Sequence, residues 1–175
     1  MPVVQPGGWK VNIVWDLETT SKDCGWSGRI IAIGFWEFNS TPKVLMDRDE
    51  KKLLESFFKI LKKDTVLIGF NSDSFDIPYL RLRALRHQID SSILSSVKSL
   101  DLFKVLQSFL PQRESWKRLG DWYQWFGLRN DNDFGGFKMS ELWSDQKYEL
   151  IEEHGLEDIR KTMRLYQILK SCSVV

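Results

Sequence analysis

The chain has 175 residues, of which 42% are hydrophobic and 28% are charged, and 25 basic residues almost balance 24 acidic ones. This composition excludes a disordered, collagen-like or coiled-coil chain, and the net charge of +1 excludes a wholly polycationic nucleic-acid binder. The length is that of one domain, which we expect to span residues 1–175 with residues 1–10 flexible.

Hydrophobic patterns predict five strands and five helices. Runs rich in β-branched and aromatic residues favour strands, and apolar residues at positions i, i+3 and i+4 favour helices. The strands are expected at residues 11–15, 29–38, 43–46, 65–70 and 99–101, and the helices at 49–63, 75–88, 102–110, 116–126 and 144–172. Helices separate only the later strands, so the order predicts an α/β fold with a mixed central sheet of about five strands and helices on both faces.

Targeting and membrane signals are not evident in the sequence. The first residues lack a cationic region followed by an apolar run, and no stretch approaches the ~18 apolar residues of a membrane span. The two cysteines, Cys24 and Cys172, are too few for a disulfide framework and are expected to be free thiols. We therefore expect a cytoplasmic protein that does not enter a membrane.

Acidic residues follow two of the apolar strands. Asp16 and Glu18 stand two apart at the end of the first predicted strand, so their side chains point to the same side. Two adjacent carboxylates repel each other unless a cation lies between them, and carboxylate oxygens suit Mg²⁺ or Mn²⁺. Asp76 follows the fourth strand, at the kind of crevice where α/β sheets bind ligands. A solvated turn for the first pair and a helix N-cap for Asp76 are the structural alternatives.

A third candidate group lies near the C-terminus. His154 and Asp158 are four residues apart on a predicted helix and therefore share one face. Histidine is the side chain best suited to proton transfer near neutral pH. A solvated acidic helix face is the structural alternative.

Three segments together resemble a known family. They are VWDLETT at residues 14–20, IGFNSDSFDIPYL at 68–80 and HGLED at 154–158. In this order they are similar to the three exonuclease motifs of the DEDD (DnaQ-like) 3′–5′ exonuclease superfamily, which has a ribonuclease H-like fold. The resemblance is strongest to the proofreading domain of family B DNA polymerases, and SLDLF at 99–103 resembles a further segment of that group. It extends over about residues 11–169, with no polymerase region after it, so we expect a freestanding exonuclease domain.

The resemblance implies a mechanism and a set of ligands. It implies that Asp16, Glu18, Asp76 and Asp158 bind two Mg²⁺ or Mn²⁺ ions, with Asp16 bridging them, and that His154 orients or deprotonates the attacking water. The expected reaction releases 5′-mononucleotides from the 3′ end of a single strand, with DNA favoured over RNA. The third motif of the family has two variants. In one, three residues lie between a tyrosine and the last aspartate; in the other, four residues lie between a histidine and that aspartate. His154 stands at the tyrosine spacing.

The resemblance also indicates substrate contacts. Leu17 and Thr19 are expected near the terminal sugar and base, and Asn71 and Phe75 near the terminal nucleotide, although packing is an equally good explanation for each. The helix after Asp76 carries three arginines and a histidine that either face the phosphates or form a solvated surface, namely Arg81, Arg83, Arg86 and His87. A catalytically weak relative that binds nucleic acid or protein is the competing function, and the altered third motif is its support.

Overall fold

The computed structural model describes residues 11–23, 27–111, 117–129 and 138–175, which contain five strands and six α-helices. The strands are β1 (Val11–Thr19), β2 (Ile30–Glu37), β3 (Lys43–Met46), β4 (Thr65–Gly69) and β5 (Lys98–Asp101). The helices are α1 (Glu50–Ile60), α2 (Asp76–Arg86), α3 (Leu102–Gln107), α4 (Leu119–Trp125), α5 (Met139–Ser144) and α6 (Tyr148–Ser171). The flexibility expected of residues 1–10 and the free thiol expected at Cys24 lie outside the described residues, whereas Cys172 is a free, exposed cysteine.

The strands form one mixed sheet in the order β3-β2-β1-β4-β5. β1, β2 and β3 pair antiparallel, whereas β4 runs parallel to β1 and β5 runs parallel to β4. Parallel neighbours need a crossover connection, and α1 and α2 lie in the crossovers before β4 and β5. β1 is thus the central strand, and its carboxyl end lies beside that of β4. The predicted α/β fold with a mixed sheet of about five strands is confirmed.

Helices cover both faces of the sheet. On one face, Ile13, Trp15 and Leu17 of β1 pack in a single apolar cluster with residues of α1 and α2. On the other face, Val14 and Ile68 pack in a second cluster with residues of α3, α4 and α6. The alternation of side chains along β1 thus determines which cluster each residue joins.

The largest difference from the expected elements lies near the C-terminus. The helix predicted at 144–172 is preceded by a separate short helix, α5, and α6 begins only at Tyr148. Between them Gln146 has a φ of +57°, a left-handed conformation that a continuing helix does not adopt. The helix expected at 116–126 is described only from residue 117 and begins at Leu119, because the Asp121 carboxylate accepts a hydrogen bond from the Arg118 backbone N–H and caps the helix there.

Among the described residues, none of the helices combines the length and the apolar character that crossing a membrane requires.

Candidate active site

Asp16 and Glu18 lie on the face of β1 that α6 covers. Val14 belongs to the cluster beneath α6, and residues two and four positions further along a strand point the same way. Glu18 is 5% exposed, and its Oε1 atom lies 2.9 Å from His154 Nδ1 of α6. The two carboxylates that the sequence paired are therefore directed together at α6.

Gly34 of β2 allows α6 to approach the sheet at this point. A Cβ atom added to Gly34 of β2 would lie 2.8 Å from Cγ1 of Ile159 and 3.2 Å from the carbonyl oxygen of Gly155. Both distances are too short for an ordinary contact. Gly34 is also the partner of Asp16 across the β1–β2 pair. The close packing of α6 on Gly34 thus brings the third motif to the carboxylates of the first.

The third motif supplies His154 and Asp158, which lie on α6 beside Glu18 of β1. The Nδ1 atom of His154 lies 3.9 Å from Oδ2 of Asp158 as well as near Glu18. One donor atom from each of Glu18, His154 and Asp158 lies within 4.8 Å of the other two, an arrangement that could hold a metal ion. The tyrosine-type spacing of His154 therefore still places its ring beside both carboxylates.

A clamped loop between β4 and α2 positions the second motif. Asn71 has a φ of +61°, and its carbonyl oxygen accepts from the Phe75 backbone N–H at 3.1 Å. The buried Asp101 carboxylate at the end of β5 accepts from the backbone N–H groups of Asn71 at 2.8 Å and Asp73 at 3.1 Å. This clamp fixes the loop just before Asp76, the first residue of α2.

Asp76 meets the first motif at the backbone of β1. Its carboxyl group accepts a hydrogen bond from the backbone N–H of Leu17, and the same N–H interacts with Asp16; in both acids this contact only partly opposes the rise in pKa that burial causes. Asp76 is 3% exposed. Asp16 and Asp76, 60 residues apart in sequence, therefore share one N–H group in the cleft.

The site holds more negative charge than its surroundings stabilise. Burial, followed by the charges of Asp76, Glu18 and Asp158, raises the pKa of Asp16 well above its usual range. Burial also raises the pKa of Asp76 to about 7 and the pKa of Glu18, the latter against the hydrogen bond from His154. Without a further cation, these groups cannot all be ionised at neutral pH.

His154 partly compensates this charge. Burial lowers the pKa of its ring, but the hydrogen bond to Glu18 and the charges of Glu18 and Asp158 outweigh that effect and raise the pKa to about 8. At neutral pH the ring is therefore protonated, and Nδ1 donates to the Glu18 carboxylate.

The donor set fits a hard divalent cation. Four carboxyl groups converge from β1, α2 and α6, and carboxylate oxygens are the ligands that Mg²⁺ and Mn²⁺ prefer. Burial first, and neighbouring carboxylates second, raise the pKa values of Asp16 and Asp76, and a bound cation would offset both causes. The residues present thus match the group that the resemblance implies.

Comparison with known proteins assigns the chain to a family. A family model of the RNase H superfamily matches residues 13–170. The chain belongs to the RNase H superfamily. The fold of this RNase H-superfamily domain is similar to that of the family B DNA polymerase from the hyperthermophilic archaeon Pyrobaculum calidifontis, with a TM-score of 0.75 and 21% identity over 91% of this chain and 24% of the polymerase.

Archaeal DNA polymerases also match this RNase H-superfamily domain in sequence. Identity is 25% over 118 residues to the Methanocaldococcus jannaschii DNA polymerase, which is 58% of this chain and 7% of the polymerase. It is 38% over 53 residues to the Archaeoglobus fulgidus enzyme, which is 29% of this chain and 7% of that protein. The chain thus matches less than a tenth of the length of these polymerases. The resemblance expected from the three motifs is confirmed, and it supports a nuclease function.

The residues expected to contact substrate occupy different environments. Leu17 is 6% exposed and packs in the cluster under α1 and α2, so the structure favours core packing for its side chain and leaves only its backbone N–H at the site. Phe75 is half-buried against the same cluster, with its ring centroid 5.4 Å from that of Tyr79. Thr19 and Asn71 are half-buried at the ends of β1 and β4. Contact of these residues with a substrate stays a prediction.

The basic surface expected on α2 is smaller than its sequence suggests. Arg83 is 5% exposed and donates to Glu50 of α1, with Nε 2.8 Å from Oε1. His87 Nε2 lies 2.7 Å from Oε2 of the same glutamate. These two residues stabilise the contact between α1 and α2, so the idea that they face phosphates is wrong. Arg81 and Arg86 are exposed.

Sequence reasoning missed three residues that shape the site. Gly34 interrupts an otherwise apolar strand, which is a signal of close backbone approach. Asp101 lies in a segment that resembles the family. Its carboxylate accepts hydrogen bonds from a loop about 30 residues away, and such long-range bonds cannot be recognised from the neighbouring sequence. Lys161 is paired with Glu157 at i, i+4 spacing, which was visible as a helix ion pair but not as part of the site.

Proposed function

We propose that this domain is a divalent-metal-dependent 3′–5′ exonuclease that hydrolyses single-stranded nucleic acid, with DNA favoured, to 5′-mononucleotides. The observation that carries the proposal is the convergence of Asp16, Glu18, Asp76 and Asp158, with His154, near the carboxyl end of β1. A domain that only bound a polyanion would gain nothing from this concentration of carboxylates, of which Glu18 and Asp76 are buried.

In the proposed mechanism the four carboxylates hold Mg²⁺ or Mn²⁺. When bound, such ions supply an activated water and stabilise the leaving oxygen of a phosphodiester. Glu18 and Asp158 fix the ring of His154 between them, which positions it to orient the attacking water. The ring is protonated at neutral pH without a metal ion, so it could deprotonate that water only after a bound cation had taken over the two carboxylates and lowered the pKa of the ring. The clamp from Asp101 fixes the loop before Asp76, so that its carboxylate is preorganised.

The similarity to DNA polymerases supports DNA as the favoured substrate. RNA is the alternative, because the contacts described among Glu18, His154 and Asp158 do not distinguish ribose from deoxyribose.

A catalytically weak nucleic-acid or protein-binding relative is the second candidate. The observation in its favour is that two carboxylates already contact protein cations, since Glu18 meets His154 and Asp158 meets both His154 and Lys161. Such internal ion pairs reduce the need for a metal ion.

The deciding experiment uses matched DNA and RNA oligonucleotides labelled at the 5′ end, with Mn²⁺, Mg²⁺ or EDTA. We expect a metal-dependent ladder that shortens from the 3′ end, no product in EDTA, and release of 5′-mononucleotides. An oligonucleotide with an inverted 3′-terminal nucleotide and a circular single strand should both resist the protein. Cleavage of the circle would indicate an endonuclease, and the absence of any cleavage with retained binding would favour the second candidate.

A matched pair of variants shows that the activity belongs to this chain. Asp16→Asn removes a carboxylate from the proposed site. Asp64→Asn makes the same chemical change at an exposed position with a φ of +64°, a conformation that asparagine readily adopts. We expect the Asp64 variant to match the wild type and the Asp16 variant to be inactive.

A further inference from the structure

Lys161 of α6 is a nearly buried cation next to the carboxylate cluster. Its side chain is 12% exposed, and its Nζ atom lies 2.7 Å from Oε1 of Glu157 and 3.6 Å from Oδ1 of Asp158. A lysine ammonium is a compact point charge that usually remains in water, so its placement here needs a reason.

Asp158 faces a cation on each of its two oxygens. Oδ1 lies near Lys161, whereas Oδ2 lies 3.9 Å from Nδ1 of His154. A divalent ion bound by Asp158 would therefore have to share this carboxylate with two positive groups. Because two cations that share one anion repel each other, the bound ion and the lysine oppose each other.

Glu157 keeps Lys161 in place independently of Asp158. Its carboxylate is 15% exposed and makes the shorter of the two ion pairs with the lysine. Among the described residues, its second oxygen, Oε2, is buried without a hydrogen-bond partner. Lys161 therefore has a fixed anchor one turn away and reaches Asp158 from that anchor.

We propose that Lys161 is a built-in counter-ion of the carboxylate site, which holds Asp158 while no metal ion is bound and lowers the affinity of the site for divalent ions. This inference rests on the proposed metal-dependent function and concerns how that site is regulated. Lys161 acts through Asp158 and is a positioning residue. The free concentration of divalent ion would then determine what fraction of the folded molecules has a metal-loaded, active site.

The test is calorimetric titration of Mn²⁺ into substrate-free wild-type protein, Lys161→Met and Lys161→Gln. Both variants remove the charge, and glutamine keeps a donor for Glu157 so that the fold is preserved. We expect both to bind Mn²⁺ about tenfold more tightly, because a unit charge within several ångströms of a bound ion near a protein surface changes an equilibrium constant by roughly this factor. Lys161→Arg, which keeps the charge, should return the affinity to within about threefold of the wild type.

Arg160→Met is the matched control. Arg160 is the exposed neighbour of Lys161 on α6, and its loss changes the net charge of the protein by the same amount. We expect its Mn²⁺ affinity to equal that of the wild type. Weaker or unchanged binding in the Lys161 variants would overturn the inference, since weaker binding would mean that the lysine prepares Asp158 for the ion.

Thermal melting provides a second readout. Without metal, Lys161→Gln should melt below the wild type, and saturating Mn²⁺ should reduce that difference. An equal difference with and without Mn²⁺ would show a purely structural ion pair and overturn the inference. If the wild type cleaves DNA and binds Mn²⁺ but the variants bind it equally well, only the role of Lys161 fails. If the wild type binds no divalent ion, this inference and the proposed function fail together.

Discussion

Acidic groups on opposite faces of the same sheet differ in how their charges are balanced: a balanced cluster surrounds Glu50, and an unbalanced cluster consists of Asp16, Glu18, Asp76 and Asp158. Under α1 and α2, the single carboxylate of Glu50 meets Arg83, His87 and the backbone N–H of Ile30. Burial alone would raise the pKa of Glu50, but these partners outweigh it and lower the pKa. Under α6, four carboxyl groups share one histidine and one lysine, and the pKa values of Asp16, Glu18 and Asp76 are raised.

The difference separates a structural ion pair from a site that requires a ligand. A buried carboxylate with matched donors is complete within the fold, and removing a partner leaves an unpaired charge. A buried carboxylate cluster with too few donors is complete only when a cation is added. In this molecule, the partners available on each face of the sheet, rather than the residue type, thus determine whether a carboxylate is neutralised within the fold or needs an added cation.

The largest expected effect is on catalysis at the unbalanced cluster. Asp16→Asn should lower the rate of 3′-end hydrolysis by about 10⁴-fold, because the metal ligands supply several kcal/mol of transition-state stabilisation. In EDTA the same variant should have a higher free energy of unfolding than the wild type, since a carboxylate repelled by its acidic neighbours is removed. Single-turnover kinetics and urea unfolding measure the two effects, and a variant that loses both activity and stability would contradict the comparison.

At the balanced cluster the same type of change should act on stability. Glu50→Gln leaves Arg83 buried without its carboxylate, and we expect the free energy of unfolding to fall by about 3–5 kcal/mol. Urea unfolding at neutral pH measures it. The folded fraction should keep its rate per active site, and a loss below about 1 kcal/mol would show that Glu50 is not a structural anchor.

A smaller effect should follow from moving α6 away from the unbalanced cluster. Gly34→Ala adds a methyl group 2.8 Å from Ile159 Cγ1, so we expect a loss of about 1–3 kcal/mol in stability together with reduced activity.

A double-mutant cycle with Ile159→Ala is the control for this interpretation. Removing the clashing side chain should make the two losses less than additive. Strict additivity would mean that Gly34 acts elsewhere than at the contact with α6.

The smallest effect is the pH dependence of the balanced cluster. The folded pKa of Glu50 lies below its usual value of 4.5, so its stabilisation is fully present above that value and is lost as the pH falls through the folded pKa. One proton limits the slope to about 1.4 kcal/mol per pH unit. Urea unfolding between pH 3 and 6 should show this acid-dependent loss in the wild type and a shallower one in Glu50→Gln. Equal slopes would indicate that Glu50 titrates normally.

The fold and the candidate site could be predicted to different degrees. The strand patterns placed all five strands, and the alternation along β1 put Asp16 and Glu18 on one face. The i, i+4 spacing correctly placed His154 and Asp158 together on α6. The left-handed Gln146 that separates α5 from α6 could not be predicted, because its conformation depends on the surrounding packing.

Local sequence thus determined the strands, most of the helices and the faces of side chains within each of them, since these follow from periodicities of two and about 3.6 residues, and it also contained the three motifs. Only the tertiary structure decided which charges are neutralised. Glu50 and Arg83 are 33 residues apart, and Glu18 and His154 are 136 residues apart. The pKa of a buried acid depends on the charges and donors within a few ångströms, and those neighbours are set by the packing of helices on the sheet.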